Sequence, residues 1–369
     1  MLPLNWQRVR LGDIGKPCMC KRVMKHQTTR YGEIPFYKIG TFGNTADAFI
    51  SKKLFLEYRT KYSFPKKGDI LISASGTIGR AVIYDGKPAY FQDSNIVWID
   101  NDETLVKNDF LFYAYSNVKW NTEHTTILRL YNDNFRNTLI PLPPLNEQNA
   151  IANILSALDR YLYALDALIL KKEGVKKALS FELLSQRKRL KGFNQAWQRV
   201  RLGDIANYLT SNLSAEQITQ QGKIKVYDVN NFIGYTDTTF ISDKPYISIV
   251  KDGSVGKVRI LPPKTNILST MGALIANHRT TTEFLFYLLS NFDFKNFTSG
   301  SIIPHIYFKD YKEKTIFLPP LNEQSAIANI LSDLDNEIAS LKNKKRQFEN
   351  IKKALNHDLM SAKIRVLKK

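Results

Sequence analysis

The amino-acid sequence predicts an α+β protein in which one mixed α/β unit occurs twice, with two long helices that pair as an antiparallel coiled coil. Two observations predict this fold. The segment Leu142–Asp159 returns at Leu318–Asp335 with substitutions at only two positions. Each copy then continues into a stretch in which apolar residues alternate at spacings of four and three, which is typical of a coiled-coil seam.

The repeat covers most of the chain. Trp6–Ile14 returns unchanged as Trp197–Ile205, and the sequence GTIGR at Gly76–Arg80 resembles GSVGK at Gly253–Lys257. The separation between matching residues shortens by about a dozen residues between Ile39 and the first GTIGR glycine, so we expect an additional segment in the first copy there. The chain is therefore predicted to be one unit used twice.

These matches predict four segments. They are a first globular unit at residues 1–141, a first spacer helix at 142–191, a second globular unit at 192–317 and a second spacer helix at 318–369. Within each globular unit, short apolar runs bounded by Gly, Asp and Asn predict β-strands. The first helix would lead from one unit to the other, and the second could return along it. This connection favours an antiparallel helix pair and a pseudo-two-fold relation between the units.

Local sequence sets the expected helix ends. Pro141, Pro143 and Pro144 exclude a helix before Leu145. Asn146 is the predicted N-cap, and Glu147 would lie in the first turn, where the helix dipole favours a carboxylate. Basic residues within 187–191, followed by Gly192, predict the end of the first helix. The second copy of the segment predicts the same start for the second helix.

The coiled-coil seam is predicted from the apolar positions of the two stretches. Each helix is amphipathic and cannot bury its apolar stripe alone, so we expect the two to pair within the chain. The predicted seam comprises Ile151, Leu155, Leu158, Leu162, Leu165 and Ile169 in the first helix, and Ile327, Leu331, Leu334, Ile338, Leu341, Phe348 and Leu355 in the second.

Net charge indicates a polyanionic partner. The chain has 53 Lys and Arg against 34 Asp and Glu, a formal charge of +19, which favours nucleic acid over an anionic membrane surface. No stretch approaches the roughly 20 apolar residues that span a bilayer. The start of the sequence lacks the apolar region of a signal peptide, so a cytoplasmic location is predicted. Cys18 and Cys20 are too close for a good structural disulfide, and we expect both to be reduced thiols.

Basic and aromatic residues together indicate where nucleic acid would bind. Residues 15–67 contain twelve basic and three acidic side chains, with tyrosines and phenylalanines among them. Such a composition suits phosphate contact combined with base reading. A solvated basic face above an aromatic core is the alternative. The candidate DNA-binding residues are Lys21, Arg22, Lys25, Arg30, Tyr37, Lys38, Arg80 and Arg129 in the first copy, and Lys223, Lys225, Tyr227, Lys257 and Arg259 in the second.

The sequence contains no recognisable catalytic motif. The two Gly-x-x-Gly segments lack the Lys-Ser/Thr of a phosphate-binding loop, so a tight turn between strands is predicted, with a DNA phosphate contact as the alternative. The five histidines show no metal-ligand spacing. The base-binding tetrapeptide of amino-methyltransferases is also missing. We therefore predict that the chain is not an enzyme by itself, with no catalytic residue, metal or cofactor of its own.

These features together resemble the specificity (S) subunits of type I restriction–modification systems. The resemblance depends on W-x-x-V-x-LGDI at the start of each half, the Gly-Thr-Ile-Gly turn, and LPPLNEQ-x-AIANILS-x-LD at the end of each half, and it covers essentially the whole chain. It implies two target recognition domains, each reading one half of a split, asymmetric DNA site. Because the two copies have diverged, the two half-sites should differ.

The resemblance also implies partners. Two modification subunits, which are adenine-N6 methyltransferases, would dock on the spacer helices, and restriction subunits would join the assembly. S-adenosylmethionine would be bound by the modification subunits and not by this chain. Two alternatives stay open: a recognition subunit of a type II-like methylase–nuclease complex, and a coiled-coil scaffold whose charge serves only solubility.

The repeated LPPLNEQ segment is the predicted docking surface for the two modification subunits. Helix capping alone does not explain why the whole segment is the same in both copies, whereas docking of two identical partners, or recent duplication, would. The candidate docking residues are Leu142, Pro143, Asn146, Glu147 and Gln148 in the first copy, and Leu318, Pro319, Asn322, Glu323 and Gln324 in the second.

Overall fold

The structure is a computed structural model that describes residues 3–124, 128–229 and 231–366. The chain divides into two compact units. Unit 1 comprises Met1–Leu165 with Lys344–Lys369, and unit 2 comprises Asp166–Asn343. Each unit therefore combines one globular region with parts of both long helices, which the four predicted segments had separated.

Both copies of the repeat contain several short strands with few helices between them. The first copy contains β1 (Gln7–Arg10), α1 (Leu11–Ile14), β2 (Gly15–Met19), β3 (Ile34–Tyr37), β4 (Phe49–Ile50), α2 (Lys52–Lys61), β5 (Ile70–Ser73), β6 (Ala81–Ile83), β7 (Tyr90–Phe91), β8 (Ile96–Asn101), α3 (Asn108–Tyr115), β9 (Glu123–His124), β10 (Leu128–Arg129), α4 (Asn132–Asn137), β11 (Leu139–Leu142) and α5 (Leu145–Leu184). The second contains β12 (Gln198–Arg201), β13 (Ala206–Thr210), β14 (Ile224–Tyr227), β15 (Phe232–Thr236), β16 (Tyr246–Val250), β17 (Val258–Leu261), β18 (Asn266–Ile267), β19 (Met271–Ala276), α6 (Thr282–Ser290), β20 (Thr298–Ser299), β21 (His305–Ile306), α7 (Phe308–Tyr311), β22 (Thr315–Leu318) and α8 (Leu321–Met360).

The two units have the same sheet topology. Unit 1 has a four-stranded sheet in the order β2-β8-β5-β6 and a three-stranded sheet in the order β4-β3-β7. Unit 2 has the orders β13-β19-β16-β17 and β15-β14-β18, in which every strand is the counterpart of one in unit 1. In both units the first strand pairs antiparallel with the last strand before a long helix, β1 with β11 and β12 with β22. The repeated α/β unit predicted from the sequence is therefore confirmed.

Helix α2 accounts for the additional segment expected in the first copy. It lies between β4 and β5, and between their counterparts β15 and β16 the described chain has no helix. The Ser51 side chain caps α2 by accepting the Leu54 amide N–H at 3.2 Å. Phe55 is the buried anchor of α2 and packs edge-on against Phe64. This helix carries several of the basic residues that the first copy has in excess.

In both long helices, the residue at the N-cap position differs from the one predicted. The amides of Glu147 and Gln148 donate to the Pro144 carbonyl at 2.9 Å, so Pro144 lies at the N-cap position and α5 begins at Leu145. The prediction of Asn146 as N-cap is wrong. Its side-chain oxygen accepts the Glu147 amide N–H at 2.9 Å from within the first turn. A proline serves at this position because the N-cap carbonyl, and not its N–H, makes the first helical hydrogen bond.

The end of the first long helix was predicted too late. Helix α5 ends at Leu184, and Gln186 adopts a left-handed φ of 61° that turns the chain. The basic residues at 187–191 follow the helix instead of lying in its last turn. The reason is that Leu183 is buried in the main core of unit 2, so the chain must turn there to enter β12.

Within each unit the two long helices pair antiparallel, as predicted. In unit 1, Asp159 bonds Lys352 while Tyr161 packs on Phe348 with ring centroids 4.7 Å apart. In unit 2, Lys172 bonds Glu337 at 2.8 Å and Lys176 bonds Asp335 at 2.5 Å. In both, rising numbers on α5 meet falling numbers on α8.

All the predicted seam residues are buried or partly buried. Ile151, Leu155, Leu165, Ile169, Ile327, Leu331 and Ile338 are buried, and Leu158, Leu162, Leu334, Leu341, Phe348 and Leu355 are partly buried. Ile151 and Leu155 belong to the main core of unit 1, together with Leu359 of α8. The ends of the helix pair therefore form part of the globular core.

Both cysteines are free, as expected. Burial raises the pKa of the Cys20 thiol to about 12, so this side chain stays protonated and unreactive. Among the described residues, no helix combines the length and apolar character needed to cross a membrane.

Gly174 provides a test of the helix assignment. A Cβ added to Gly174 within α5 would meet no atom within 4 Å. Gly174→Ala should therefore raise the free energy of unfolding by about 0.5–1 kcal/mol, because Ala loses less backbone entropy in a helix. Denaturant titration followed by circular dichroism measures this. The control is Gly68→Ala, where φ is +95° and space is equally open. Gly68→Ala should lower the free energy of unfolding. Stabilisation by both variants, or by neither, would contradict the helix assignment.

Candidate nucleic-acid interface and the repeated helix junctions

A buried carboxylate joins three chain segments at the start of α5. Trp6 Nε1 donates to Glu147 Oε2 at 3.0 Å. The Arg365 guanidinium donates to both carboxylate oxygens, at 2.6 and 2.9 Å. The Glu147 side chain is only 2% exposed, so these donors replace water around its charge. The carboxylate in turn raises the pKa of Arg365 through this hydrogen bond. We call this set the carboxylate junction of unit 1.

Unit 2 contains the same junction with different segments. Trp197 Nε1 donates to Glu323 Oε2 at 2.9 Å, and Arg189 donates to both Glu323 oxygens at 3.1 and 2.6 Å. The Glu323 side chain has no exposed surface. In each unit the carboxylate begins one long helix and the arginine follows the end of the other. The first strand of the unit, the start of one helix and the end of the second are therefore tied together.

The neighbouring glutamine completes each junction. Gln148 accepts the Lys107 amide N–H at 2.8 Å and donates to the carbonyls of Leu105 and Pro143. In unit 2, the Gln324 side-chain carbonyl accepts the Thr281 amide N–H at 3.0 Å, and its amide donates to the carbonyls of Arg279 and Pro319. Both side chains join the loop before a short helix (α3 or α6) to the helix start.

These contacts give the identity of the two LPPLNEQ copies an internal cause. Glu147, Gln148, Glu323 and Gln324 are buried and bonded within their own unit, and Pro143, Pro319 and Leu318 are also buried. The structure thus assigns the acidic and amide residues of the predicted docking surface to the interior. Leu142 is half-buried, and only Asn146 and Asn322 are exposed. Docking at the exposed positions stays a prediction.

A second junction joins the middle of each globular region to the helix pair. In unit 1, the Tyr113 hydroxyl donates to Asp159 at 2.7 Å, and the same carboxylate bonds Lys352. In unit 2, the Tyr287 hydroxyl donates to Asp335 at 2.9 Å, and Lys176 bonds it at 2.5 Å. Burial, reinforced by the hydrogen bond to the carboxylate, raises the pKa of both tyrosines. Both hydroxyls therefore act as donors in the neutral form.

The sequence contained a signal for these junctions that our self-comparison missed. Glu173–Ser180 reads EGVKKALS and Glu349–Asn356 reads ENIKKALN. Further on, LLSQRKR at Leu183–Arg189 matches LMSAKIR at Leu359–Arg365. The repeat thus extends over the helix ends and contains the lysines and arginines of both junctions.

Five predicted DNA-binding residues of unit 1 surround one group of loops. Arg22 bonds Asp93 at 2.8 Å, and Arg129 donates to the next carbonyl, that of Ser94, at 2.8 Å. The Arg80 guanidinium donates to Gly43 at 3.3 Å, in the loop that begins at Lys38. That loop is hydrogen-bonded to the loop that contains Asp93. The Gln92 side-chain carbonyl accepts the Ile39 amide N–H, and the Gln92 backbone N–H donates to the Tyr37 carbonyl. We call the loops at 38–44, 75–80, 92–95 and 129 loop group 1.

Of the other three candidates of unit 1, Lys21 and the short turn that begins at Lys25 contact α2 or the residue that follows it. The Lys21 ammonium stands 5.1 Å from the ring centroid of Tyr62, just after α2. Lys25 begins a short turn in which Gln27 donates to Tyr58 of α2, and Arg30 is exposed in the segment that follows. The predicted residues of the first copy therefore form two groups and not one.

In unit 2 the candidates are distributed in a similar way. Lys223 and Lys225 are exposed, and the Arg259 guanidinium lies 5.3 Å from the ring centroid of Tyr227. Lys257 is exposed directly after the second glycine turn. Lys257 and Tyr227 occupy the positions of Arg80 and Tyr37 in the repeat, whereas Lys223, Lys225 and Arg259 have no basic counterpart in the first copy.

The two Gly-x-x-Gly segments are tight turns between antiparallel strands, as predicted. Gly76–Gly79 joins β5 to β6, and Gly253–Gly256 joins β16 to β17. Gly79 has φ of +82°, and an added Cβ would lie 2.1 Å from Trp120. Gly256 has φ of +80°, and its Cβ would lie 2.6 Å from Phe294. Only glycine suits these positions, since both the left-handed backbone and the packed ring exclude a side chain.

Each glycine turn pairs with a nearby segment of different chemistry. In unit 1, Ser75 forms an antiparallel bridge with Arg129. At the same place in unit 2, Asp252 forms the bridge with His305, and its carboxylate meets the His305 Nδ1 at 2.6 Å. A guanidinium in one unit is therefore matched by a carboxylate–imidazole pair in the other. Within the described ranges, no group of three or more His, Cys, Asp or Glu side chains could hold a metal ion.

The carboxylate junction predicts a local change in stability. Glu323→Ala leaves the buried Trp197 Nε1 and the partly buried Arg189 guanidinium without their shared acceptor, which should cost about 1–3 kcal/mol. Amide hydrogen exchange should show the loss in β12 and at the start of α8. The control is Glu337→Ala, which removes an exposed carboxylate bonded to Lys172 and should change stability by less than about 0.5 kcal/mol. Equal effects of the two variants would contradict the role of the junction.

Comparisons with known proteins agree on one family. The family described as "Type I restriction modification DNA specificity domain" matches residues 3–172 and 194–350. The type I restriction enzyme MjaVIII specificity subunit of Methanocaldococcus jannaschii is 25% identical over 99% of this chain and 94% of its own length. A Haemophilus influenzae protein, named as the putative type I restriction enzyme specificity subunit S.HindORF215P, is 63% identical over 148 residues. That match spans 40% of this chain and 38% of the relative.

Solved structures show the same fold. The S subunit of a type I restriction–modification system from M. genitalium covers 97% of this chain and 98% of its own, with a TM-score of 0.64 at 20% identity. A chain from a study of complex assembly and conformational transition of the type I system covers 99% of this chain and 100% of its own, with a TM-score of 0.61 at 17% identity. With two copies of the family's domain spanning most of its length, the chain belongs to the type I restriction–modification DNA specificity family.

Proposed function

We propose that the chain is the DNA-recognition subunit of a type I restriction–modification complex, in which unit 1 and unit 2 each read one half of a split, asymmetric site. The observation that carries the proposal is the combination of one scaffold with two different exposed surfaces. Strand order and both junctions are the same in the two units. The side chains beside the glycine turns are not.

The differences lie where base reading is expected. Side chains that read bases must offer donors and acceptors matched to particular base edges, whereas phosphate contacts are independent of sequence. The Arg129 guanidinium beside the first turn suits a base with acceptors, such as guanine. The Asp252–His305 pair beside the second turn offers a carboxylate acceptor instead. Two half-sites of different sequence follow from this contrast.

The proposal includes the partners of the complex. Two modification subunits would dock at equivalent surfaces, and the exposed Leu145–Asn146 and Leu321–Asn322 pairs support this because they are the same in both units. Those subunits would bind S-adenosylmethionine, extrude the target adenine and methylate it, while this chain supplies position and sequence choice without catalysis. Restriction subunits would join that assembly, in the cytoplasm where the DNA lies.

The alternative functions receive less support. Both copies of the domain match a DNA specificity family, which disfavours a scaffold whose charge serves only solubility. The relatives that match this chain are named as subunits of type I enzymes, which disfavours a type II-like complex.

Exchange of one reader tests the proposal. Residues 15–141 would be replaced by the corresponding segment of a relative that reads another sequence, with the carboxylate junction left intact. Because Trp6 and Glu147 lie outside the exchanged segment, assembly should be retained. Sequencing of N6-methyladenine in an expressing strain should show one half-site changed and the other unchanged.

Exchange of residues 206–314 is the matched control and should change only the other half-site. If either exchange altered both half-sites together, or if methylation became independent of sequence, separate reading by the two units would be excluded.

A further inference from the structure

A hairpin in unit 2 exposes two isoleucines at its tip. Strands β20 and β21 pair antiparallel, and Gly300–Pro304 between them form the segment that we call the hairpin tip. Ile302 is 93% exposed and Ile303 is 54% exposed. Fully exposed branched apolar side chains are unfavourable in water, at roughly 1.5–3 kcal/mol relative to burial. An almost fully exposed isoleucine beside a half-exposed one on the same tip indicates a contact surface.

The tip has a defined conformation. Gly300 has φ of +90°, and a Cβ there would lie 2.3 Å from the Ile303 carbonyl oxygen, so the turn requires glycine. The hairpin is also bonded to the glycine turn of unit 2. The Gly253 amide donates to the Pro304 carbonyl at 2.9 Å, and Ile306 donates to the Lys251 carbonyl at 2.9 Å. The hairpin that carries the isoleucines is therefore anchored to the glycine turn on the C-terminal side of the tip.

Exposed cations and an aromatic ring lie in the segments that adjoin the hairpin. Lys257, which follows the glycine turn, is exposed, and so is Tyr307, which follows the hairpin. The Lys309 ammonium lies 5.5 Å from the Tyr307 ring centroid. An apolar projection beside cations fits DNA, because lysines can reach phosphates while an aliphatic side chain contacts a thymine methyl group or enters a base step.

Comparison of the two copies indicates whether the tip contacts DNA or a protein partner. Two identical modification subunits would meet the same side chains in both units. The residue that matches Ile302 in the first copy is Thr126, in a segment outside the described residues. The side chain at this position differs between the two copies, and so does the half-site that each copy is proposed to read. The difference therefore favours DNA over a modification subunit as the ligand of the tip.

We propose that the hairpin tip contacts the bases of the half-site read by unit 2, with Ile302 as the specificity-determining side chain. This inference rests on the proposed function. The contact is apolar, so it selects bases by shape and by methyl groups, while the neighbouring lysines supply affinity that is independent of sequence.

The test uses the complete complex with its modification subunits. The variants are Ile302→Thr, which introduces the residue of the first copy, and Ile302→Val, which keeps an aliphatic side chain. Leu209→Thr is the control, because Leu209 is another exposed apolar residue of unit 2. Each complex would select from a library of duplexes randomised over the whole site. The half-site of unit 2 is the one that exchange of residues 15–141 leaves unchanged.

The proposal predicts that Ile302→Thr lowers discrimination at one or two adjacent base pairs of that half-site by about five- to tenfold, an ordinary size for one apolar base contact. Discrimination in the other half-site should stay as in the wild type. Ile302→Val and Leu209→Thr should each change discrimination by less than about twofold.

Three results would overturn the inference. They are unchanged discrimination in Ile302→Thr, an equal loss in both half-sites, and weakened assembly with the modification subunits at unchanged discrimination, which would assign the tip to a protein interface. If the wild-type complex selected no sequence at all, the proposed function itself would fail, and that outcome is distinct from these three.

Discussion

The rest of the fold depends on the hydrogen bonds of a buried glutamate at the start of each long helix. Removing a carboxylate from water is costly unless several donors surround it. Glu147 and Glu323 each receive an indole N–H and a bidentate guanidinium. These donors come from the residue just before the first strand of the globular region and from the segment after the other helix. The charge is therefore satisfied only when three segments, distant in sequence, meet at one point.

This requirement explains why the scaffold is the same in both units while the loops are free to differ. The carboxylate, glutamine and Tyr–Asp–Lys contacts all lie on the side of the reader that faces the helices. Loop group 1 and the hairpin of unit 2 lie at the glycine turns, where no junction residue reaches. Substitutions there can change what is bound without removing a donor from a buried charge. A fixed frame with exchangeable contact loops follows from the placement of polar bonds.

The sequence predicted the repeated unit, the extra segment in the first copy, the glycine turns and the antiparallel helices. Each of these follows from local pattern or from comparison of the chain with itself. The helix end at Leu184 was placed too late because burial of Leu183 in the core, a tertiary effect, overrode the basic residues and Gly192 that marked a later end. Asn146 was taken for the cap because side-chain preference does not reveal which carbonyl accepts the first helical bonds.

The role of Glu147 and Gln148 could not be read from composition. Their identity in both copies suggested an external partner, and the structure shows internal ones that lie far away in sequence, such as Arg365. The matching arginines at the helix ends were visible in the repeat, but nothing in sequence alone says that they meet a glutamate. The exposed isoleucines of unit 2 were equally hidden, since an apolar residue in a loop is ordinarily assigned to the core.

The most direct test of the central claim is the pattern of adenine methylation made by the whole complex. The modification subunits and this chain would be expressed together in a strain without other methyltransferases, and N6-methyladenine would be mapped by sequencing. Two different readers on one scaffold predict a single interrupted motif, with two unlike half-sites and a fixed spacer. A continuous motif, or two identical half-sites, would contradict the account.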